Sequence, residues 1–303
     1  MGSNPILTGA VCLITVLLST FSCDTTESVD IPKFDKDRAF GYLEHQVSIG
    51  PRIPGTETHI KAMHWIEEHL RKRTDYVSIQ RFKAPYDKTE TNMNNIIASF
   101  YPDKSERILL CTHWDSRHRA DRDPDSTKWM EPVPGANDGA SSVAVLLEIA
   151  NSLAEKEPPI GIDMAFFDGE DGGEYGENST WLLGSRYFAR AMPPGFKPQY
   201  AILLDMIGDK DLSLSRDVHS MESSPALWKR ITELCLSLDI RFSPEKRSII
   251  DDHIPLIERG IPSVDLIDFD YESWHTISDL PDRCSAESLD KIGRLVLAII
   301  YGE

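Results

Sequence analysis

Four strand-like runs in this 303-residue sequence lead into side chains of metal-binding type. The run 108–112 leads into His113-Trp114-Asp115, and 162–167 leads into Asp168-Gly169-Glu170-Asp171. The run 201–204 ends at Asp205, and 263–267 is followed shortly by Trp274-His275. A fifth candidate, Asp138, stands in Gly135-Ala136-Asn137-Asp138-Gly139, where a long helical pattern begins. A catalytic zinc takes three carboxylate or imidazole ligands from the protein and keeps one position for water or substrate. Carboxylates gathered without a cation repel one another and rise in pKa, so a cation is their natural neutraliser. Each residue alone has an ordinary explanation: Asp138 would cap a helix and Asp205 would be a loop carboxylate. Five of them at successive strand ends point instead to one site.

The remaining histidines do not extend the set. His64 and His69 share a helical segment, but chelation from one helix face needs a spacing of four. Five residues apart, they diverge by about 140° at 3.6 residues per turn. His45, His59, His118 and His219 have no ligand-type company and read as surface or packing residues.

The elements that must position these residues alternate along the chain. Strand patterns fall at 77–82, 95–100, 108–112, 162–167, 201–204 and 263–267. Helical patterns fall at 35–47, 56–73, 139–155, 181–190, 225–238 and 285–301. Gly50-Pro51-Arg52-Ile53-Pro54-Gly55 forces a tight turn between the first two helices. In the last helix Ile292, Leu295, Val296, Ile299 and Ile300 recur at helical spacing and define a buried face. Such alternation predicts an α/β fold of three layers, with a mostly parallel mixed central sheet flanked by helices. Sites in such sheets gather at the carboxyl ends of the strands.

Composition narrows the function classes. With 41% hydrophobic and 27% charged residues the chain is globular, and a net charge of −17 excludes a nucleic-acid partner. Residues 6–18 are almost wholly apolar yet too short to span a bilayer comfortably, and Thr20-Phe21-Ser22-Cys23 follows. This reads as an export signal over 1–22, although no Lys or Arg precedes the apolar run. Cys23 as a lipidated first residue, a plainly cleaved signal and a signal anchor all remain open. A polar tether over 23–34 and a single domain over 35–303 complete the expected organisation. Cys12 and Cys23 belong to the signal, and Cys111, Cys235 and Cys284 show no pairing that suggests disulfides or a thiolate metal site.

From about Phe40 onward the chain resembles the glutaminyl cyclase branch of the M28 zinc-aminopeptidase family. The likeness is carried by Ser48-Ile49-Gly50-Pro51-Arg52, His113-Trp114-Asp115-Ser116, Gly135-Ala136-Asn137-Asp138 and Phe166-Phe167-Asp168-Gly169-Glu170-Asp171. Leu203-Leu204-Asp205-Met206-Ile207-Gly208, Asp251-Asp252-His253-Ile254-Pro255 and Trp274-His275-Thr276 continue it. The resemblance implies a zinc-aminopeptidase/phosphorylase-hydrolase-like fold and one zinc on Asp138, Asp171 and His275. It implies Glu170 as general acid/base, Asp205 and Asp251 as a hydrogen-bonded carboxylate network around it, and Trp274 and His253 on the substrate side. His113 and Asp205 then either hydrogen-bond to the ligands or bind a second zinc.

The expected reaction closes N-terminal glutamine of peptides and proteins to pyroglutamate and releases ammonia. A monomer is expected, exported and touching a membrane only through a lipid anchor. Three departures stand out. Asp171 occupies a position where animal cyclases carry Glu, a pocket Trp is missing with Tyr175 or Trp181 to replace it, and Thr112 and Val143 stand where those enzymes place a disulfide. The rival reading is a two-zinc aminopeptidase. There His113 and Asp205 bind the second metal, Asp138 bridges, and Glu170 activates water. A non-catalytic binding domain would be expected to lose ligands or the acid/base, and this chain keeps them all.

Overall fold

The computed structural model describes residues 1–2 and 30–302. Residues 3–22 of the expected export signal, Cys23 and most of the expected tether lie outside the described residues. The packed part of the chain reaches back one residue further than expected, because the Phe34 ring is buried against Gly293.

Helix α1 (Lys36–Ile49) begins where the Asp35 carboxylate accepts the Arg38 amide, and α2 (Glu57–Arg71) where Thr56 accepts that of His59. A hairpin of β1 (Tyr76–Tyr86) and β2 (Thr89–Phe100) leads to β3 (Arg107–His113). Helix α3 (Ser142–Glu155), β4 (Gly161–Phe167), α4 (Leu183–Ala191) and β5 (Ala201–Asp205) alternate as expected. Four elements were not legible in the sequence: β6 (Ser213–Asp217), α5 (Val218–Ser223), β7 (Arg241–Arg247) and α7 (His253–Glu258). Helix α6 (Pro225–Ser237), strand β8 (Ser263–Ile267) and helix α8 (Ala286–Tyr301) complete the chain.

The main sheet has the order β1-β2-β4-β3-β5-β8. Strands β4, β3, β5 and β8 are mutually parallel, and the β1–β2 hairpin joins antiparallel at β4. Successive side chains of a strand point to opposite faces. Accordingly Ile108 and Leu110 of β3, with Ile202 and Leu204 of β5, pack into the core shared with α1, α3 and α8. Leu109, Cys111, Ala201 and Leu203 point the other way, toward Phe188 of α4 and Leu256 of α7. The layers are therefore helix, sheet, helix. All five predicted α8 positions are buried.

Four parallel strands side by side bring four carboxyl ends to one edge. That edge carries the candidate residues.

Candidate active site

His113 closes β3, Asp205 closes β5, and Glu170 and Asp171 lie in the loop that leaves β4. His275 comes from the loop after β8, and Asp138 from a wide turn over Ala136–Ser141 that leads into α3. Asp138 interrupts that turn with extended backbone, and its peptide bond to Gly139 is cis.

Two of the ligand groups that result share Asp138. Asp138, Asp171 and His275 bring one ligand atom each within 4.8 Å of one another, as do His113, Asp138 and Asp205. His275 Nε2 lies 3.0 Å from Asp171 Oδ1 and 3.6 Å from Asp138 Oδ2. His113 Nε2 is 3.1 Å from both Asp138 Oδ1 and Asp205 Oδ1. Asp138 Oδ2 and Asp171 Oδ2 are buried without a hydrogen-bond partner. Buried carboxylate oxygens are rarely left so, and a cation between them would satisfy both.

The electrostatics agree. Burial and the neighbouring Asp171 push Asp138 well above the usual carboxylate range, against the pull of His113. Burial would also raise Asp171, but His275, His113 and Arg117 hold it below its ordinary value. Burial, then Asp171 and Asp251, push Glu170 well up, with His113 opposing. Burial, then Asp205 and Asp252, do the same to Asp251. A carboxyl in such surroundings binds a proton readily, as an acid/base group must.

The ligands are held by a shell that sequence reasoning passed over. Asp115 accepts the amides of Glu170 (3.1 Å) and Asp171 (3.2 Å), fixing that loop through its main chain. Buried Arg117 donates to the Asp171 carbonyl at 2.8 Å and the Gly173 carbonyl at 3.1 Å. Buried Arg52, from the Pro/Gly turn, donates to the carbonyls of Trp114, Pro134 and Gly135 and so braces the Asp138 turn. Asp279 accepts the amides of Asn137 and Asp138 from the opposite side. Tyr175 OH stands 3.0 Å from His275 Nδ1, so the outer ring nitrogen is occupied and Nε2 faces the carboxylates. The only signal for Arg52 and Arg117 was their place in the quoted motifs and just after His113-Trp114-Asp115-Ser116.

A pocket of about 220 Å³ opens over the ligands. Trp274, Tyr175, Trp181 and Phe269 wall it with Ile249 and Ile267, and Glu170, Asp205 and Asp251 reach it as well. Both candidates for the missing Trp thus line the pocket. The Trp181 ring lies parallel to His275 with centroids 6.2 Å apart, and Trp274 packs 4.2 Å from the same imidazole.

One expectation is corrected. His253 does not line the pocket: it is fully buried at the start of α7, its Nε2 3.2 Å from Asp217 Oδ2. The helix turns its first side chain toward β6 and β8, so Asp251 reaches the pocket and His253 braces the layer behind it. Thr112 and Val143 are buried, and Cys111, Cys235 and Cys284 are free thiols, so no disulfide adjoins the site among the described residues. His69 meets the Leu147 carbonyl while His64 is exposed beside Glu67, so the two diverge as their spacing requires.

Fold and site together define an α/β protein with a carboxylate–histidine cluster suited to a metal ion at the carboxyl edge of its sheet. The chain belongs to peptidase family M28, whose model matches residues 95–300. Among solved structures it is similar to a Zn-dependent exopeptidase from Parabacteroides distasonis, 35% identical over 90% of this chain and 100% of that one, with a TM-score of 0.87. It is equally similar to Bacteroides thetaiotaomicron glutaminyl cyclase, 34% identical over 90% of this chain and 100% of that one, with a TM-score of 0.86. A curated relative, glutaminyl-peptide cyclotransferase of Bos taurus, is 25% identical over 82% of this chain and 77% of its own length.

Proposed function

We propose that this chain is a zinc-dependent glutaminyl-peptide cyclotransferase that converts N-terminal glutamine of peptides and proteins to pyroglutamate. The observation that carries the reading is the joining of three features in one small pocket. An acidic–imidazole triad, a carboxyl raised in pKa and a wall of aromatic rings all meet there.

The donor set of two carboxylates and one imidazole suits zinc, with Asp138, Asp171 and His275 as the residues that hold it. When bound, zinc supplies Lewis-acid polarisation of the γ-carboxamide oxygen. The rest of the chemistry is assigned to this chain's own side chains. Trp274, Tyr175 and Phe269 confine the glutamine and select the folded conformer in which its α-amine faces its own amide carbon. As the new C–N bond forms, the Glu170 carboxylate takes the proton from the amine. It then delivers that proton to the departing amide nitrogen, which leaves as ammonia. Asp251 and Asp205, lining the same pocket, keep a proton close to Glu170 by disfavouring a second ionised carboxylate beside it. The apolar walls limit water, which would otherwise compete with the amine.

One zinc per chain belongs to this reading. His113 Nε2 already faces Asp138 and Asp205 at hydrogen-bond distance, which supports a role as their partner rather than as a ligand. Elemental analysis after dialysis against a weak chelator is expected to give one zinc per chain, and His113→Ala to weaken activity without changing that number. Two zincs, both needed for turnover and one lost in His113→Ala, would favour the aminopeptidase reading instead.

The same reading places the protein outside the cytoplasm as a monomer, after processing near Ser22-Cys23, with or without a lipid on Cys23. Residues 35–303 then act as one catalytic domain. Among the described residues no helix is long and apolar enough to cross a membrane.

A further inference from the structure

Several arginines lie against or beside the residues that wall the pocket, and all but Arg122 are held by carboxylates or carbonyls. Arg117 pairs with Asp121 and two main-chain carbonyls. Arg119 pairs with Asp121 and Glu174, and Arg247 with Asp270. Arg122 has no carboxylate partner among the described residues. Its amide donates to the His275 carbonyl at 3.2 Å, and its Nε donates to Tyr175 OH at 3.1 Å. The guanidinium carbon lies 4.7 Å from the Trp274 ring centre and 5.0 Å from that of Tyr175. Both rings are pocket walls. Arg122 is exposed, and its two terminal nitrogens make no hydrogen bond among the described residues. The structure therefore holds a charged, planar, donor-bearing group at the mouth, fixed in place by two aromatic faces and one hydrogen bond.

Exposed ion pairs usually contribute little, because two long side chains must be immobilised for a screened attraction. Stacking removes much of that cost here, since the fork of donors is already oriented. Resting on the cyclase reading above, we propose that Arg122 is a specificity-determining residue that favours substrates with an acidic residue directly after the N-terminal glutamine. With the glutamine amide at the ligand triad, the following residue leaves the pocket past Trp274 and Tyr175. Consecutive Cα atoms are about 3.8 Å apart, so the carboxylate of that residue comes within one side chain's reach of the mouth. The whole chain carries −17, which repels an acidic peptide at long range, so the attraction that Arg122 offers is local and sensitive to salt.

The test compares kcat/KM for two synthetic peptides, Gln-Glu-Phe-Ala and Gln-Ala-Phe-Ala, by ammonia release. Arg122→Ala is expected to lower the Glu-to-Ala preference by about tenfold, as loss of a charged hydrogen bond predicts, mainly through KM. Arg122→Lys should keep part of the preference, and added salt should erode it in the parent but not in Arg122→Ala. An equal loss on both peptides would make Arg122 a brace for Tyr175 and His275, and an unchanged ratio would leave it idle. Either result overturns the proposal. A parent protein that releases no ammonia from either peptide refutes the cyclase reading itself, and is told apart from those results by its inert control peptide.

Discussion

Asp171→Ala is expected to purify folded but without zinc, and to release no ammonia from glutamine peptides. The side chain is one of the three ligands of the proposed site, its Oδ1 lies 3.0 Å from His275 Nε2, and its Oδ2 has no hydrogen-bond partner. A three-ligand catalytic site cannot readily spare one ligand. The fold has little reason to suffer, because the loop is held through main-chain atoms. Asp115 takes the Asp171 amide and Arg117 donates to its carbonyl, and the substitution leaves both contacts in place. Elemental analysis and thermal unfolding on one preparation check this. A variant that keeps full zinc would remove Asp171 from the ligand set.

Glu170→Gln separates chemistry from metal binding. The amide keeps the size of the side chain but cannot accept and return a proton. The Glu170 main-chain amide still reaches Asp115, so the loop geometry is preserved. Turnover is expected to fall by about 10² or more, the usual contribution of a positioned acid/base, while zinc stays bound. The loss should appear in kcat rather than KM, since the proton moves only as the transition state forms. Near-normal turnover with zinc in place would show that another group carries the proton.

Most of the site was legible because of how parallel strands are built. Buried on both faces, β3, β4, β5 and β8 read as largely apolar runs, interrupted by Asp163 in β4 and by Ser263 and Asp265 in β8, so the metal-binding types that follow them stand out. Asp138 was visible for the complementary reason, as a carboxylate where a buried helix begins. The supporting residues were not. Arg52 meets Gly135 across more than eighty residues, and Asp279 meets Asp138 across a still longer span. Nothing local distinguishes such a residue from a surface charge. His253 failed for a related cause: its motif places it near the site, but only the direction of α7 decides which side of the layer it faces. The β6–β7 pair was missed because both strands are polar and β7 contains Pro244, so neither carries the apolar period of a core strand.

In the proposed reaction the substrate's own amine, not water, attacks a glutamine side chain in this pocket. Mass spectrometry of the products from a single peptide, Gln-Leu-Phe-Ala, incubated with purified protein tests it most directly. The expected product is a peptide of unchanged length, lighter by one ammonia, with no free glutamine. Free glutamine and a shortened Leu-Phe-Ala would contradict it and make the chain an aminopeptidase.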